Sequence, residues 1–199
     1  MGSFTQLLKK LSARLVAGIV LAVAASAWSA GAPAAQGDAI EIKRAALVER
    51  DDGYTLEADF DIQLTTTLED ALSKGVSLSF LFEWELLRPR WYWLNERIAG
   101  GQLAYRLSYQ PLTRQYRVTV GQLFRSFAKL DEAVGFVSRV RRQQAVDSGT
   151  FRKDQSYQAA VRLRLDISQL PKPFQVNALA SREWNIGSDW FRWSFTGTP

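Results

Sequence analysis

The feature that most constrains the fold is an alternation of apolar and polar residues along several segments. The clearest run covers residues 54–64, where every second residue is apolar and the residues between are Thr, Glu, Asp or Gln. An apolar residue also stands at every second position of residues 76–86, 103–109, 116–120 and 157–167. Because successive side chains of a strand point to opposite faces, each run predicts a strand with one apolar face. Such strands are typical of antiparallel sheets with one solvated face.

Turn signals separate these runs. Residues 40–49 predict a weaker strand, and Asp51-Asp52-Gly53 favours a hairpin turn into the next strand. Residues 111–114, with a proline at the first position, predict another turn between two of the alternating runs.

Two segments predict helices. Thr66 and Glu69 have the spacing of a capping box, and Gly75 can end the helix that follows. The second helix is predicted over residues 126–142, with acids early and arginines late, an order that suits the helix dipole. Its apolar stripe consists of Phe127, Leu130, Val134 and Val137. Pro171 and Pro173 are expected to break the chain before a Trp-rich C-terminus.

These elements predict an α+β fold: mainly antiparallel β-sheet, sandwich-like, with two packed α-helices, preceded by an N-terminal signal helix. Residues 36–199 are expected to form a single mature domain, since about 165 residues suit one core and hardly two.

The first 35 residues have the order of a bacterial secretory signal. Three basic residues lie within residues 1–14, an uncharged apolar run follows at residues 15–27, and mostly small residues continue to Ala35. We expect export by the general secretion route, cleavage between Ala27 and Ala35, and a periplasmic mature protein. The alternative is an inner-membrane anchor through residues 15–27, although this run is shorter than the roughly 20 residues of a spanning helix.

The residue types that are absent restrict the possible chemistry. The chain has no Cys and no His, which excludes a lipid anchor on an N-terminal Cys, His-based catalytic triads, Cys–His pairs and His-ligated zinc or haem. Gly100-Gly101 indicates a turn and does not form a phosphate-binding loop. We expect no enzymatic activity, no cofactor and no metal.

The charge is nearly balanced once the leader is set aside. The whole chain has 25 basic and 20 acidic residues, and three of the basic residues lie in the leader, which leaves 22 against 20. This balance gives no support to a nucleic-acid partner. Residues 38–85 are nevertheless acidic, with 12 acids and 4 bases, and residues 88–199 are basic, with 18 bases and 8 acids. Two interpretations stay open: an anionic-ligand patch on the second half, or, as we favour, charge pairs between neighbouring strands.

Two groups of acidic residues have the spacing of possible sites. Glu83 and Glu85 share one face of a strand, about 7 Å apart, near the carboxyl separation of inverting glycosidases. Solvent-facing acids opposite arginines are the simpler interpretation. Glu57, Asp59 and Asp61 also share a face and offer oxygen ligands for calcium, but a straight strand favours a solvated face.

The best candidate binding residues are Arg90, Trp91, Tyr92 and Trp93. Three consecutive aromatic residues cannot all point inward from a strand, and Trp, Tyr and Arg dominate binding hot spots. The alternative is a sheet corner wrapped by the C-terminal segment, with the core closed by Trp184, Trp190 and Trp193.

Five stretches of the chain together resemble a known family. They are LTTTLEDALSKGVSLSFLFEWELLRPRWYW, YQPLTRQYRVTVG, SFAKLDEAVGFV, LPKPFQVNAL and WNIGSDWFRW. Their series, in this order, resembles the domain-of-unknown-function 4390 family of exported proteins from Gram-negative bacteria. The resemblance implies an envelope protein without assigned activity, and it suggests, by gene association, a sensor-type partner in the inner membrane. It transfers no catalytic or ligand residues.

These observations lead to three functional hypotheses. The first is a non-enzymatic, partner-binding or accessory protein of the periplasm. The second is a binder of small molecules or lipids with an aromatic-lined pocket. The third is a hydrolase that uses Glu83 and Glu85. A flat exposed aromatic patch favours the first hypothesis, a deep apolar cavity the second, and convergent carboxylates in a cleft the third.

Overall fold

A computed structural model describes residues 39–50, 53–90, 92, 94–147 and 149–197. All described residues belong to one compact unit, Asp38–Pro199. The predicted signal helix, including the apolar run at residues 15–27, lies outside the described residues. Within the described part of the chain, no helix is long and apolar enough to cross a membrane.

The described residues form strands and helices in an irregular order. The strands are β1 (Ile40–Arg50), β2 (Gly53–Ile62), β3 (Leu78–Arg88), β4 (Glu96–Gln110), β5 (Gln115–Val120), β6 (Leu123–Phe127), β7 (Arg139–Val146), β8 (Ser156–Leu165) and β9 (Phe191–Thr196). The α-helices are α1 (Thr66–Ser73), α2 (Leu130–Val137) and α3 (Lys172–Ala180), and single 3-10 turns lie at Ile167–Gln169 and Arg182–Trp184.

The strands form two antiparallel sheets. The small sheet has the order β1-β2-β7, and the large sheet has the order β6-β5-β4-β3-β8-β9. All their pairings are antiparallel. The predicted fold, mainly antiparallel sheet with packed helices, is therefore confirmed.

The core lies between the facing apolar sides of the two sheets. The rings of Phe60 on β2 and Phe82 on β3 meet edge to face, with centroids 6.0 Å apart. In the large sheet, Phe82 stands between Leu103 and Leu163 of the neighbouring strands. The alternating residues from Tyr54 to Ile62 and from Val76 to Leu86 are buried at every second position, as predicted. Period-2 alternation therefore identified the inward face of both central strands.

Two predicted hairpins are present. The β1–β2 hairpin pairs Arg50 with Gly53, whose φ of 129° is in the region that favours glycine; its two turn residues lie outside the described residues. The β4–β5 hairpin pairs Gln110 with Gln115 across the turn at residues 111–114. Arg114 ends that turn with a left-handed φ of 52°.

Helix α1 begins one residue earlier than the capping pattern predicts. Thr65, not Thr66, is the N-cap, and its side chain accepts a hydrogen bond from the Leu68 N–H. Thr65 also donates to the Glu183 carbonyl oxygen at 3.0 Å. Gly75 follows the helix with a φ of 90°, as the predicted helix end requires.

The helix predicted over residues 126–142 is wrong at both ends. Only Leu130–Val137 is helical, because residue 126 pairs with β5 and residue 141 pairs with β2. Strand pairing places Arg141 of β7 in ion pairs with Glu57 and Asp59, which a helix over these residues would not provide. The apolar stripe is still used, since Phe127 on β6 packs against Phe136 on α2 with ring centroids 5.6 Å apart.

Helix α3 is a third helix that the sequence analysis did not predict. Pro171 and Pro173 were expected to break the chain, but they stand at the N-cap and in the first helical turn. A helix needs no backbone donor at its first positions, so proline is tolerated there. Phe174 of α3 packs against the buried Trp184 at a centroid distance of 5.4 Å.

Candidate binding surfaces

The acidic residues of β2 are engaged in ion pairs. Glu57 and Asp59 face Arg141 and Arg139 of β7 across the small sheet, and Arg141 Nη2 lies 2.6 Å from Asp59 Oδ1. Burial alone would raise the pKa of Asp59, but hydrogen bonds from Arg141 and Arg44 outweigh it and hold the pKa below its ordinary value. Glu57 and Asp59 on this face of the small sheet are therefore neutralised by arginine side chains of the same sheet.

The described residues contain no group of three or more acidic, His or Cys side chains that could hold a metal ion. Glu57 and Asp59 instead face guanidinium groups, and Asp61 Oδ2 lies 3.5 Å from Lys43 Nζ. The calcium interpretation of Glu57, Asp59 and Asp61 thus finds no support in the geometry.

Glu83 is a buried carboxylate with three donors on the outer face of the large sheet. It accepts hydrogen bonds from Arg162 Nε at 2.6 Å, Arg164 Nε at 2.9 Å and Gln102 Nε2 at 3.1 Å. Burial would raise the pKa of Glu83, and the two arginines outweigh this effect and lower it. Antiparallel pairing of β3 with β4 and β8 places these donors beside the carboxylate.

This environment does not suit the hydrolase hypothesis. A general acid for glycoside hydrolysis needs a raised pKa and a free approach to the substrate oxygen. Glu83 has a lowered pKa and its oxygens are occupied by donors of the same sheet. Glu85 lies on the same face, paired with Ala160 and Gly100.

The predicted aromatic patch lies in the loop between β3 and β4. Arg90 and Arg88 both form ion pairs with Glu96 Oε2, and these hydrogen bonds lower the pKa of Glu96. Tyr92 is 63% exposed and Leu94 is 82% exposed. Trp91 and Trp93 lie outside the described residues. The described residues of this loop thus include Arg90, which is held by Glu96, and the exposed side chains of Tyr92 and Leu94.

The three C-terminal tryptophans do not all close the core. Trp184 is buried, and Trp193 is half-buried against the core. Trp190 instead lies beneath the guanidinium groups of Arg162, 4.6 Å from the ring centroid, and Arg192, at 5.8 Å. Such contacts are cation–π interactions.

Strand β6 is an exposed edge that the sequence analysis missed. Among the described residues it pairs only with β5, and Leu123 and Phe124 are 79% and 64% exposed. The guanidinium of Arg117 lies 4.5 Å from the Phe124 ring centroid. The two-residue turn Gly121-Gln122 is the sequence signal that indicates this hairpin.

A cleft of about 430 Å³ lies between β6 and α2. Its aromatic lining consists of Phe127 and Phe136, and Arg125 lies 5.6 Å from the Phe136 ring centroid. The remaining lining residues are Asp131, Glu132, Gly135 and Arg139. A smaller cleft of about 190 Å³ lies at the opposite edge of the large sheet, beside Trp190 and Ile40.

No curated protein and no solved structure matches the chain. A family model described as Domain of unknown function (DUF4390) matches residues 37–194, which include every described strand of the chain except the last two residues of β9. This match confirms the resemblance found in the sequence, and the chain belongs to the DUF4390 family.

Proposed function

We propose that this protein is an exported, non-enzymatic envelope protein that binds an extended segment of a partner protein along the free edge of β6. Export is supported by the order of basic, apolar and small residues in the first 35 positions. A sensor-type protein of the inner membrane is the first partner class to test, because the family resemblance suggests it.

The observation that carries the proposal is the unpaired edge of β6. An edge strand presents backbone N–H and C=O groups without ladder partners, and proteins usually shield such edges. Here the residues from 123 to 126 are exposed and include Leu123 and Phe124. An extended segment that adds to this edge gains main-chain hydrogen bonds, which is the mode of β-strand addition.

The neighbouring cleft supplies a place for the partner's side chains. Leu123, Arg125 and Phe127 stand opposite Val120, Val118 and Tyr116, and directly paired residues share a face. Val118 is buried, so these three β6 residues are on the core side, where Arg125 and Phe127 line the cleft. Every second side chain of an added strand would point toward the same cleft. Because Phe127 and Phe136 line the cleft, the partner side chain that enters it should be apolar.

The charge of this region defines the partner segment further. Residues 97–130 contain six basic residues and no acidic one. Four of these residues, Arg114, Arg117, Arg125 and Lys129, lie on or next to the β5–β6 hairpin. Electrostatic complementarity raises association rates and selects partners. The basic residues of the hairpin therefore favour an extended segment with acidic flanks, whereas Asp131 and Glu132 in the cleft lining disfavour an acidic residue at the apolar anchor.

Photocrosslinking in intact cells tests this proposal. A photoreactive amino acid replaces Leu123, and a matched control carries it at Val176, which is 70% exposed on α3. We expect one discrete crosslinked protein from position 123 and none from position 176. A second chain with Phe124→Lys and Arg125→Glu should lose that product while retaining its fold by circular dichroism. Equal crosslinking from both positions, or a product unaffected by the two substitutions, would contradict the proposal.

The aromatic cleft also favours a second candidate function, the binding of a small apolar ligand beside Phe127 and Phe136. Native mass spectrometry of the protein purified from its own envelope distinguishes the two. A bound small molecule that is lost in Phe136→Ala, without any crosslinked protein at position 123, would favour ligand binding over partner binding.

A further inference from the structure

The outer face of the large sheet has an excess of positive charge. The outward-facing strand residues include six arginines and two acids: Arg97, Arg106, Arg117, Arg162, Arg164 and Arg192, against Glu83 and Glu85. A Cβ at Gly100 would collide with the Arg97 guanidinium, so that arginine lies over this face. Exposed residues on β4, β6 and β9, such as Gln102, Ser126 and Ser194, show that solvent reaches it.

Most of these arginines have no acidic partner. Glu83 binds Arg162 and Arg164, whereas Arg97, Arg106, Arg117 and Arg192 form no ion pair with any described residue. The Nε atom of Arg117 is buried and has no hydrogen-bond partner within the described part of the chain.

The outer face of the small sheet differs in how its charged residues are paired. Its four acids all lie in ion pairs with cations of the same face: Glu41, Glu57, Asp59 and Asp61, with Lys43, Arg44, Arg50 and Arg141. On this face every acid is paired and Arg139, opposite Asp59, lacks an ion pair with a described residue, whereas four of the six arginines on the outer face of the large sheet lack one.

Aromatic side chains contact the arginines near both edges of the outer face of the large sheet. Phe124 lies on β6 under Arg117, and Trp190 precedes β9 under Arg162 and Arg192. Trp and Phe are favoured at the boundary between lipid headgroups and acyl chains. Each basic residue near an acidic lipid surface adds attraction to it.

We propose that the outer face of the large sheet docks on a membrane surface that contains acidic phospholipids. Six strands at a spacing of about 5 Å make a face roughly 25 Å wide, and its unpaired cations lie on β4, β5 and β9. They do not converge on one point, so a planar array of headgroups fits them better than a single small anion. This goes beyond partner binding at β6 and uses different residues, apart from the neighbouring Phe124 and Arg117.

Vesicle flotation tests the proposal with the protein as cells produce it, purified from the envelope. The probes are vesicles of phosphatidylcholine alone and of phosphatidylcholine with phosphatidylglycerol. We expect binding only to the acidic vesicles, weakened by salt. The double substitution Arg106→Gln and Arg192→Gln should weaken binding about thirty-fold, since each basic residue near an acidic surface contributes about 1 kcal/mol. Neither arginine holds Glu83, so the fold should persist.

The matched control replaces Arg152 and Arg182 with Gln, two exposed arginines outside this face; its binding should not change. Equal binding to both vesicle types, or equal loss in both double variants, would overturn the proposal. Competition with soluble polyglutamate distinguishes the class of partner. If polyglutamate is bound as tightly as the acidic vesicles, the face recognises acidic polypeptides and the membrane proposal is wrong.

Discussion

At the scale of single residues, the clearest feature is the buried carboxylate of Glu83, which is held by two arginines. Its side chain is 10% exposed, whereas those of its partners Arg162 and Arg164 are 31% and 37% exposed. The carboxylate is thus withdrawn from water while the guanidinium groups reach the surface. Loss of the Glu83 charge leaves Arg162 and Arg164 without a counter-ion and leaves the three donors around this side chain with fewer acceptor sites.

We expect Glu83→Gln to lower the free energy of unfolding by about 1–3 kcal/mol, the range for a buried group that loses charge-assisted hydrogen bonds. The partial exposure of both arginines limits the loss, because water can solvate them. Urea unfolding with linear extrapolation measures the change. Glu85→Gln on the same face is the control and should change stability by less than about 0.5 kcal/mol. Equal losses in both variants would contradict the special role of Glu83.

The lowered pKa values also predict how stability depends on pH. For Glu83, Asp59 and Glu96 the folded-state pKa lies below the unfolded value. Their contribution to stability is therefore complete above the unfolded pKa and is lost as the pH falls through the folded pKa. We expect the melting temperature to fall below about pH 5 and to change little between about pH 6 and 8, because the chain has no His.

Thermal unfolding across a pH series measures this profile, and Glu83→Gln should flatten its acidic limb. A main loss of stability between pH 6 and 8, with a stable acidic form, would contradict the assignment of these carboxylates.

The residue-level environment of Glu83 was only partly predictable. Sequence alternation placed Glu83 and Glu85 on one polar face and suggested arginines opposite them. It could not identify Arg162 and Arg164, which lie about 80 residues later, since that choice depends on β3 pairing with β8 in one particular register.

At the scale of elements, helix α1 depends on one capping residue. Thr65 accepts from the Leu68 N–H and donates to the Glu183 carbonyl, so it joins the helix to the 3-10 turn that holds Trp184. We expect Thr65→Ala to cost about 1 kcal/mol or somewhat more, within the range for N-cap substitutions. Chemical unfolding measures it, with Thr66→Ala as the control. If Thr66→Ala costs more than Thr65→Ala, residue 66 is the N-cap and the assignment is wrong.

Strands were predicted better than helices for a physical reason. The alternation in β2, β3 and β8 reflects burial of one sheet face. It is visible from neighbouring residues alone, because successive side chains of a strand point to opposite faces. The ends of α2 depend on competition between helix and strand pairing, which involves residues far away in the chain. Helix α3 begins with prolines that serve equally as breakers and as first-turn residues, so its sequence did not distinguish the two outcomes.

At the scale of the whole molecule, the uneven charge along the chain has two consequences. Early acids such as Glu57 and Glu83 pair with late arginines such as Arg141 and Arg162, which is the arrangement favoured from the sequence. The late bases outnumber the acids, and four late arginines without an ion pair to a described residue lie on the outer face of the large sheet. Ion pairs in both sheets thus agree with the interpretation favoured from the sequence, and the membrane-binding face that we propose corresponds to the other interpretation.

The signal order of residues 1–35 predicts where the two proposed surfaces operate. We expect removal of these residues to leave a periplasmic protein that contains both the β6 edge and the arginine face. Edman sequencing or intact mass measurement of the envelope-purified protein should place the new N-terminus after a residue from Ala27 to Ala35. Retention of Met1 in a membrane-bound product would instead support an anchor through residues 15–27.

The most direct test of the account is hydrogen exchange of the protein with and without its bound partner, in a complex purified from the envelope through a tag on this chain. Strand addition places new hydrogen bonds on the free edge of β6. We predict slower amide exchange at Leu123–Phe127 in the complex, with no change in Phe191–Thr196, the strand at the opposite edge of the large sheet. Slower exchange at Phe191–Thr196, with β6 unchanged, would contradict the central claim.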